Sequence, residues 1–226
     1  LKNELHLTDA HSLPDTERLS LIGRLFSGFF SYLFHPLFVP VYVVYFLLYI
    51  HPSAFTGFSD ENRFRTLVIV ILNLVFFPLI SVLLLRAVGF VESIYLKTQK
   101  DRIIPYIASG IFFFWTYTVF KQQSVYPLLL VSFVFAVFLA SSAALIANIY
   151  LKVSMHAIGM GGWLGFFLVL MFTNSMLMSF PIAVVLLLTG LVCTSRLMNK
   201  SHIPFEIYLG LLIGILTQYV AYKVVF

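Results

Sequence analysis

Residues 127–150 read PLLLVSFVFAVFLASSAALIANIY, and this stretch decides the fold class. It holds no Asp, Glu, Lys or Arg. A helix crossing the hydrocarbon core of a bilayer needs roughly 20 apolar residues, and this run supplies them. With no water inside a bilayer to satisfy the backbone, such a run must bond its own N–H and C=O groups as a helix. Working outward, similar runs lie at about 104–120, 66–85 and 25–50 on the amino-terminal side. On the other side they lie at about 157–173, 177–194 and 204–225. The expected fold is an all-α, polytopic transmembrane bundle of six or seven spans, six if one run is re-entrant. The first run contains His35, Pro36 and Pro40, so it is expected to kink or to start late. Asn174-Ser175 is the sole break between the fifth and sixth runs and implies a tight turn.

Composition excludes most other classes. Of 226 residues, 61% are hydrophobic and 10% are charged, with mean hydropathy +0.99. A soluble domain carries about 25% charged residues, so this chain could not cover a water-facing surface. The single cysteine, Cys193, sits in an apolar run and reads as an inert thiol; one cysteine excludes an intrachain disulfide. Net charge is +5, but the basic residues are scattered between the runs, which suits topology and headgroup contact and gives no reason to expect nucleic acid. Residues 1–24 form a polar or interfacial segment, and 25–226 are expected to be one transmembrane domain. Leu19, Leu21, Ile22 and Leu25 suit an interfacial amphipathic helix at the end of that first segment. Residues 1–20 lack an apolar core, so no cleavable signal peptide is expected.

Parity carries the next step. With seven spans, the loops at about 86–103, 151–156 and 195–203 share the side of the amino terminus. Ten of the 14 basic residues then lie on that side: Lys2, Arg18, Arg24, Arg86, Lys97, Lys100, Arg102, Lys152, Arg196 and Lys200. The other side keeps Arg63, Arg65, Lys121 and Lys223. The positive-inside rule makes the first side cytoplasmic, in a multi-pass protein of a bacterial inner or other cytoplasmic membrane.

Three polar stations stand on that side. The most specific is Ser195-Arg196, five residues, His202, three residues, Glu206. His202 and Glu206 are four apart, so a helix puts them on one face. A carboxylate there fixes the imidazole tautomer and frees the second ring nitrogen as nucleophile or base. Ser201 is the expected N-cap of the last helix, Pro204 suits its first turn, and Gly210 and Gly214 make a face for close packing. The second station is Ser154-Met155-His156 at a helix start, where a hydroxyl and free N–H groups suit an anion and a histidine can protonate a leaving group. The third is Lys97, Lys100, Asp101, Arg102 and Pro105. Taken singly, boundary histidines and basic residues are usually interfacial polar groups and membrane anchors. Three such stations in this order on one face point instead to a shared site.

The order of stations resembles the type 2 phosphatidic acid phosphatase superfamily, which also holds the vanadium haloperoxidases. The resemblance spans about residues 97–214. The family's third motif, SRxxxxxHxxxD, is matched by Ser195, Arg196 and His202, with Glu206 in the acidic place. Its second, PSGH, is read here as Val153-Ser154-Met155-His156, losing Pro and Gly. Its first, KxxxxxxRP, is matched at Lys97 and Pro105, but Ile104 stands where the family has Arg, and Arg102 lies two residues earlier. The resemblance implies a helical bundle and a two-step phosphoryl transfer without a metal or other cofactor. In it His202 attacks phosphorus to form a phosphohistidine, and Glu206 orients His202. His156 protonates the leaving group and then activates water. Arg196, Lys97, Ser154 and, less directly, Arg102 hold the phosphate oxygens. His156 and His202 would then face a common pocket. The implied substrate is a lipid phosphate such as phosphatidate, phosphatidylglycerophosphate or a polyprenyl diphosphate, and membrane lipids are the other expected partners. Alternatives are an inactive, lipid-binding or assembly relative, for which the altered motifs speak, and a small transporter, for which His35 would be the ionisable group within a span. The four Asp are unclustered, against a prenyltransferase, and no Gly-x-Ser nucleophile suits a rhomboid-type protease.

Overall fold

The computed structural model describes residues 21–91, 93, 96, 98–173 and 178–226. Residues 1–20, Lys97 and the expected turn at Asn174-Ser175 lie outside the described residues.

The described residues form helices and connecting turns with no strand, so the expected all-α polytopic bundle is borne out. Among the described residues, six helices are long and apolar enough to cross a membrane. The first is continuous over Asp60–Ala87 and comprises α3 (Asp60–Ile71), a π-helical turn (Leu72–Phe76) and α4 (Phe77–Ala87). Pro78 sits just after the wide turn, where the extra residue accommodates a ring that lacks an N–H. The others are α5 (Gln99–Gln122), α6 (Leu128–Tyr150), α7 (Met155–Thr173), α8 (Ser179–Met198) and α9 (Pro204–Val225).

The first apolar run is the one that departs from a plain span. It forms α1 (Leu21–Leu33) and α2 (Val39–Tyr45, extended by a π turn at Phe46–Ile50), and among the described residues neither piece reaches spanning length. The break at 34–38 follows from its prolines. Pro36 pushes the preceding His35 out of helical geometry, and Pro40 is tolerated because it falls in the first turn of α2. Below the break the segment runs parallel to α7. His35 lies against His156, Tyr42 against Trp163 and Phe46 against Phe167, with ring centroids 5.4, 5.7 and 4.6 Å apart. Beyond a 3-10 turn at Pro52–Phe55 the chain reaches the far end, where Phe58 meets Tyr126.

Helices α7 and α9 pack backbone to backbone. Gly161 and Gly165 on α7 face the backbone of Leu211 and Ile215, and Gly210 and Gly214 on α9 face the backbone of Ser154, Ile158 and Gly162. A Cβ at any of these four would meet atoms of the partner helix. Small residues let two helices in lipid gain packing and dispersion where no hydrophobic drive separates protein from solvent. This contact brings together the residues that begin α7 and α9, among them the candidate site residues Ser154, His156 and Glu206.

Candidate active site

The station before α5 is built by caps and cross-links. Thr98 caps α5 by accepting the Asp101 N–H at 3.1 Å. Gln99 and Asn148 exchange side-chain-to-backbone bonds of 3.0 and 2.8 Å, tying the start of α5 to the end of α6. Arg102 is buried and donates from Nε to Leu96 O (2.9 Å) and from Nη1 to Val153 O (3.1 Å). Two of its donors are therefore spent on holding the first station to the loop before α7.

That loop positions the second station. Ser154 is fully buried, and its hydroxyl accepts from Ala157 N–H at 3.4 Å at the start of α7. Its own N–H donates to Glu206 O at 3.3 Å, so the beginnings of α7 and α9 are hydrogen-bonded to each other. His156 Nε2 lies 3.0 Å from Ser31 O. A carbonyl only accepts, so Nε2 carries the proton and Nδ1 holds the lone pair in the neutral ring.

The third station turns tightly. At the end of α8 the N–H of Lys200 bonds Leu197 O and that of Ser201 bonds Arg196 O, which closes the helix with Lys200 in the left-handed region (φ 50°). This turn delivers His202 to a buried place beside Lys152. His202 Nδ1 lies 2.6 Å from Glu206 Oε2 and 3.1 Å from Lys152 O. Both partners accept, so Nδ1 bears the proton and Nε2 is free. The imidazole is 3% exposed, and burial lowers its pKa, an effect that Glu206 opposes and that Arg196 and Arg102 reinforce. The neutral ring with a free Nε2 is thereby favoured. Glu206 sits in the first turn of α9, where a carboxylate is stabilised by the helix dipole. Pro204 occupies that first turn as expected, but the N-cap is Ile203, not Ser201. Ser201 instead directs its hydroxyl to Asn199 O, because the left-handed turn at Lys200 leaves it outside the helix.

Arg196 ends α8 facing α1. Its Nη1 donates to Ser31 Oγ at 3.3 Å, and its Nε is buried with no hydrogen-bond partner among the described residues. Arg196 is close enough to act electrostatically on His35, His156 and His202. His202, His156, Glu206, Arg196, Ser154 and Arg102 therefore gather at one end of the bundle; Lys97 is outside the described residues. Ser195 does not join them: its hydroxyl bonds back to Leu191 O within α8.

Two residues of this site escaped the motif reading. Ser31 accepts from His156 through its carbonyl and from Arg196 through its hydroxyl, and His35 packs edge-on against His156 at an interplanar angle of 83°. The available signal was a histidine inside an otherwise apolar run. An apolar groove of about 470 Å³ continues from Leu33 and Phe34 along Tyr42, Trp163, Phe167 and Val185. Compared with known proteins, the chain matches no family model, no curated protein and no solved structure.

Proposed function

We propose that the chain is an integral-membrane lipid phosphatase, similar in its site to the type 2 phosphatidic acid phosphatases, working through a phosphohistidine at His202. The observation that carries this reading is the double anchoring of His202 Nδ1 by Glu206 and Lys152 O, which leaves Nε2 unprotonated within electrostatic reach of Arg196. Such a nitrogen is a nucleophile with fixed direction, and a nearby cation offsets the charge of a phosphoryl group in transfer. His156 keeps its Nε2 proton on Ser31 O. In the protonated ring the Nδ1 proton passes to the leaving alkoxide or phosphate, and the Nδ1 lone pair so freed then takes a proton from the water that hydrolyses the phosphohistidine. Arg196 and Ser154 hold phosphate oxygens, while Arg102 acts mainly by fixing the loop that carries Ser154. The apolar groove beside the station suits the tail of an amphiphile, so phosphatidate, phosphatidylglycerophosphate and polyprenyl diphosphate all remain candidate substrates. The site end is proposed to be cytoplasmic, on the excess of basic residues; a Cys at position 200 should then resist impermeant reagents in intact cells.

Purified protein is expected to release phosphate from long-chain lipid phosphates faster than from short soluble esters. His202→Ala should abolish both turnover and a trappable phosphoenzyme. A second reading, a lipid-phosphate-binding relative without turnover, is favoured by the commitment of Arg102 to two backbone carbonyls. Binding of the same lipids with no release by wild type would select it.

A further inference from the structure

The break between α1 and α2 places a third imidazole in the site, and its hydrogen bonding defines what that ring can do. His35 Nδ1 accepts the N–H of Leu37 at 3.4 Å, in the tight turn that Pro36 imposes. A backbone N–H only donates, so the lone pair of the neutral ring is on Nδ1 and its proton is on Nε2. The ring is half-buried, stands edge-on to His156 with centroids 5.4 Å apart, and lies within electrostatic reach of Arg196. Arg196, for its part, keeps a buried Nε donor with no partner among the described residues. Two N–H donors thus stand at the same end of the bundle as His156, one on a neutral ring and one on a cation. Neither is taken up by a hydrogen bond among the described residues.

We propose that His35 is a phosphate-binding residue, its Nε2–H and the Arg196 Nε–H donating to oxygens of the lipid phosphate that His202 attacks. The proposal rests on the phosphatase reading given above. The backbone of Leu37 fixes the tautomer, so the donor is pre-set and no proton needs to move when the phosphate arrives. Ser31, one turn before, fixes His156 and Arg196 in the same way, so the α1–α2 break acts as a fourth station for the phosphate. It also explains why a histidine stands in an apolar run: the donor must reach an anion at the level where α7 begins.

The test compares His35→Gln, whose amide keeps a donor near the place of Nε2, with His35→Leu, which has a similar bulk and no donor. Orthovanadate, a phosphate mimic, is titrated by calorimetry into purified detergent-solubilised protein, and a short-chain phosphatidate is titrated in parallel. His35→Leu should weaken both ligands about tenfold or more, the range expected for a lost hydrogen bond to a charged group, and His35→Gln should stay within about threefold of wild type. Unchanged binding by His35→Leu would overturn the role of His35 and leave the phosphatase reading standing. Equal loss in both variants would overturn the donor role in favour of ring packing. Failure of wild type to bind either ligand would overturn both the proposal and the reading beneath it.

Discussion

Gly214→Ala should loosen the contact that assembles the site. A Cβ at this position would meet the backbone of α7, with Gly162 N at 2.5 Å and Gly161 C at 2.8 Å, besides Ile158 O. Ordinary van der Waals contact needs about 3.4 Å or more, so α7 and α9 must separate locally by close to 1 Å. Backbone cannot rotate away as a side-chain tip can. Overpacking of this kind costs about 1–3 kcal/mol, and for a chain of this length each kcal/mol lowers Tm by roughly 2–4 °C. The same separation strains two bonds of the site, Ser154 N–H to Glu206 O and His202 Nδ1 to Lys152 O. Turnover should therefore fall along with stability. Gly190→Ala is the control. It lies in α8 with nothing within 4 Å of its added methyl, and alanine there should gain about 0.5–1 kcal/mol of helix preference. Thermal unfolding in detergent, followed by fluorescence, reads both variants against wild type. Identical melting of Gly214→Ala and wild type would refute the backbone-to-backbone packing of α7 and α9.

Glu206→Gln retains a hydrogen-bonding group but removes the charge that polarises His202, so turnover should drop about tenfold or more while phosphoenzyme remains detectable; unaltered turnover would remove Glu206 from its orienting role. His202 has a folded pKa lowered from 6.5, first by burial, so the unfolded chain takes up its proton more readily. Its contribution is therefore present above about pH 6.5 and is lost as pH falls below that value. Chemical denaturation across that window should show a shallower acid loss for His202→Gln than for wild type, and equal slopes would contradict the assignment. Lys200→Gly relieves a side chain held at φ 50° and should raise stability by roughly 0.5–1 kcal/mol, read as an increase in Tm. His156→Ala should depress turnover of a lipid phosphate with an alkoxide leaving group far more than that of a nitrophenyl ester, by about 10²-fold or more, as expected when an acid is lost; equal losses would deny it that role.

Hydrophobic length alone determined that this chain is an all-α bundle, because a run such as 127–150 has no other way to satisfy its backbone in lipid. Local chemistry was also readable: Pro204 could open α9 since a first-turn residue needs no N–H, and the spacing of His202 and Glu206 follows from the helical period. Even the kink at His35-Pro36 was legible, since the residue before a proline avoids helical geometry. Its consequence was not. Which polar groups meet at one end depends on how closely α7 and α9 approach and on where the broken first segment passes, and both are set by contacts between residues far apart in the chain. Tertiary structure therefore decided that Ser31 and His35 belong with His156 and Arg196. It also turned two donors of Arg102 to backbone carbonyls and left Ser201 outside the helix it was expected to cap. Each of these outcomes depends on which acceptor the fold brings within hydrogen-bonding distance, and periodicity carries no information about an acceptor on another helix.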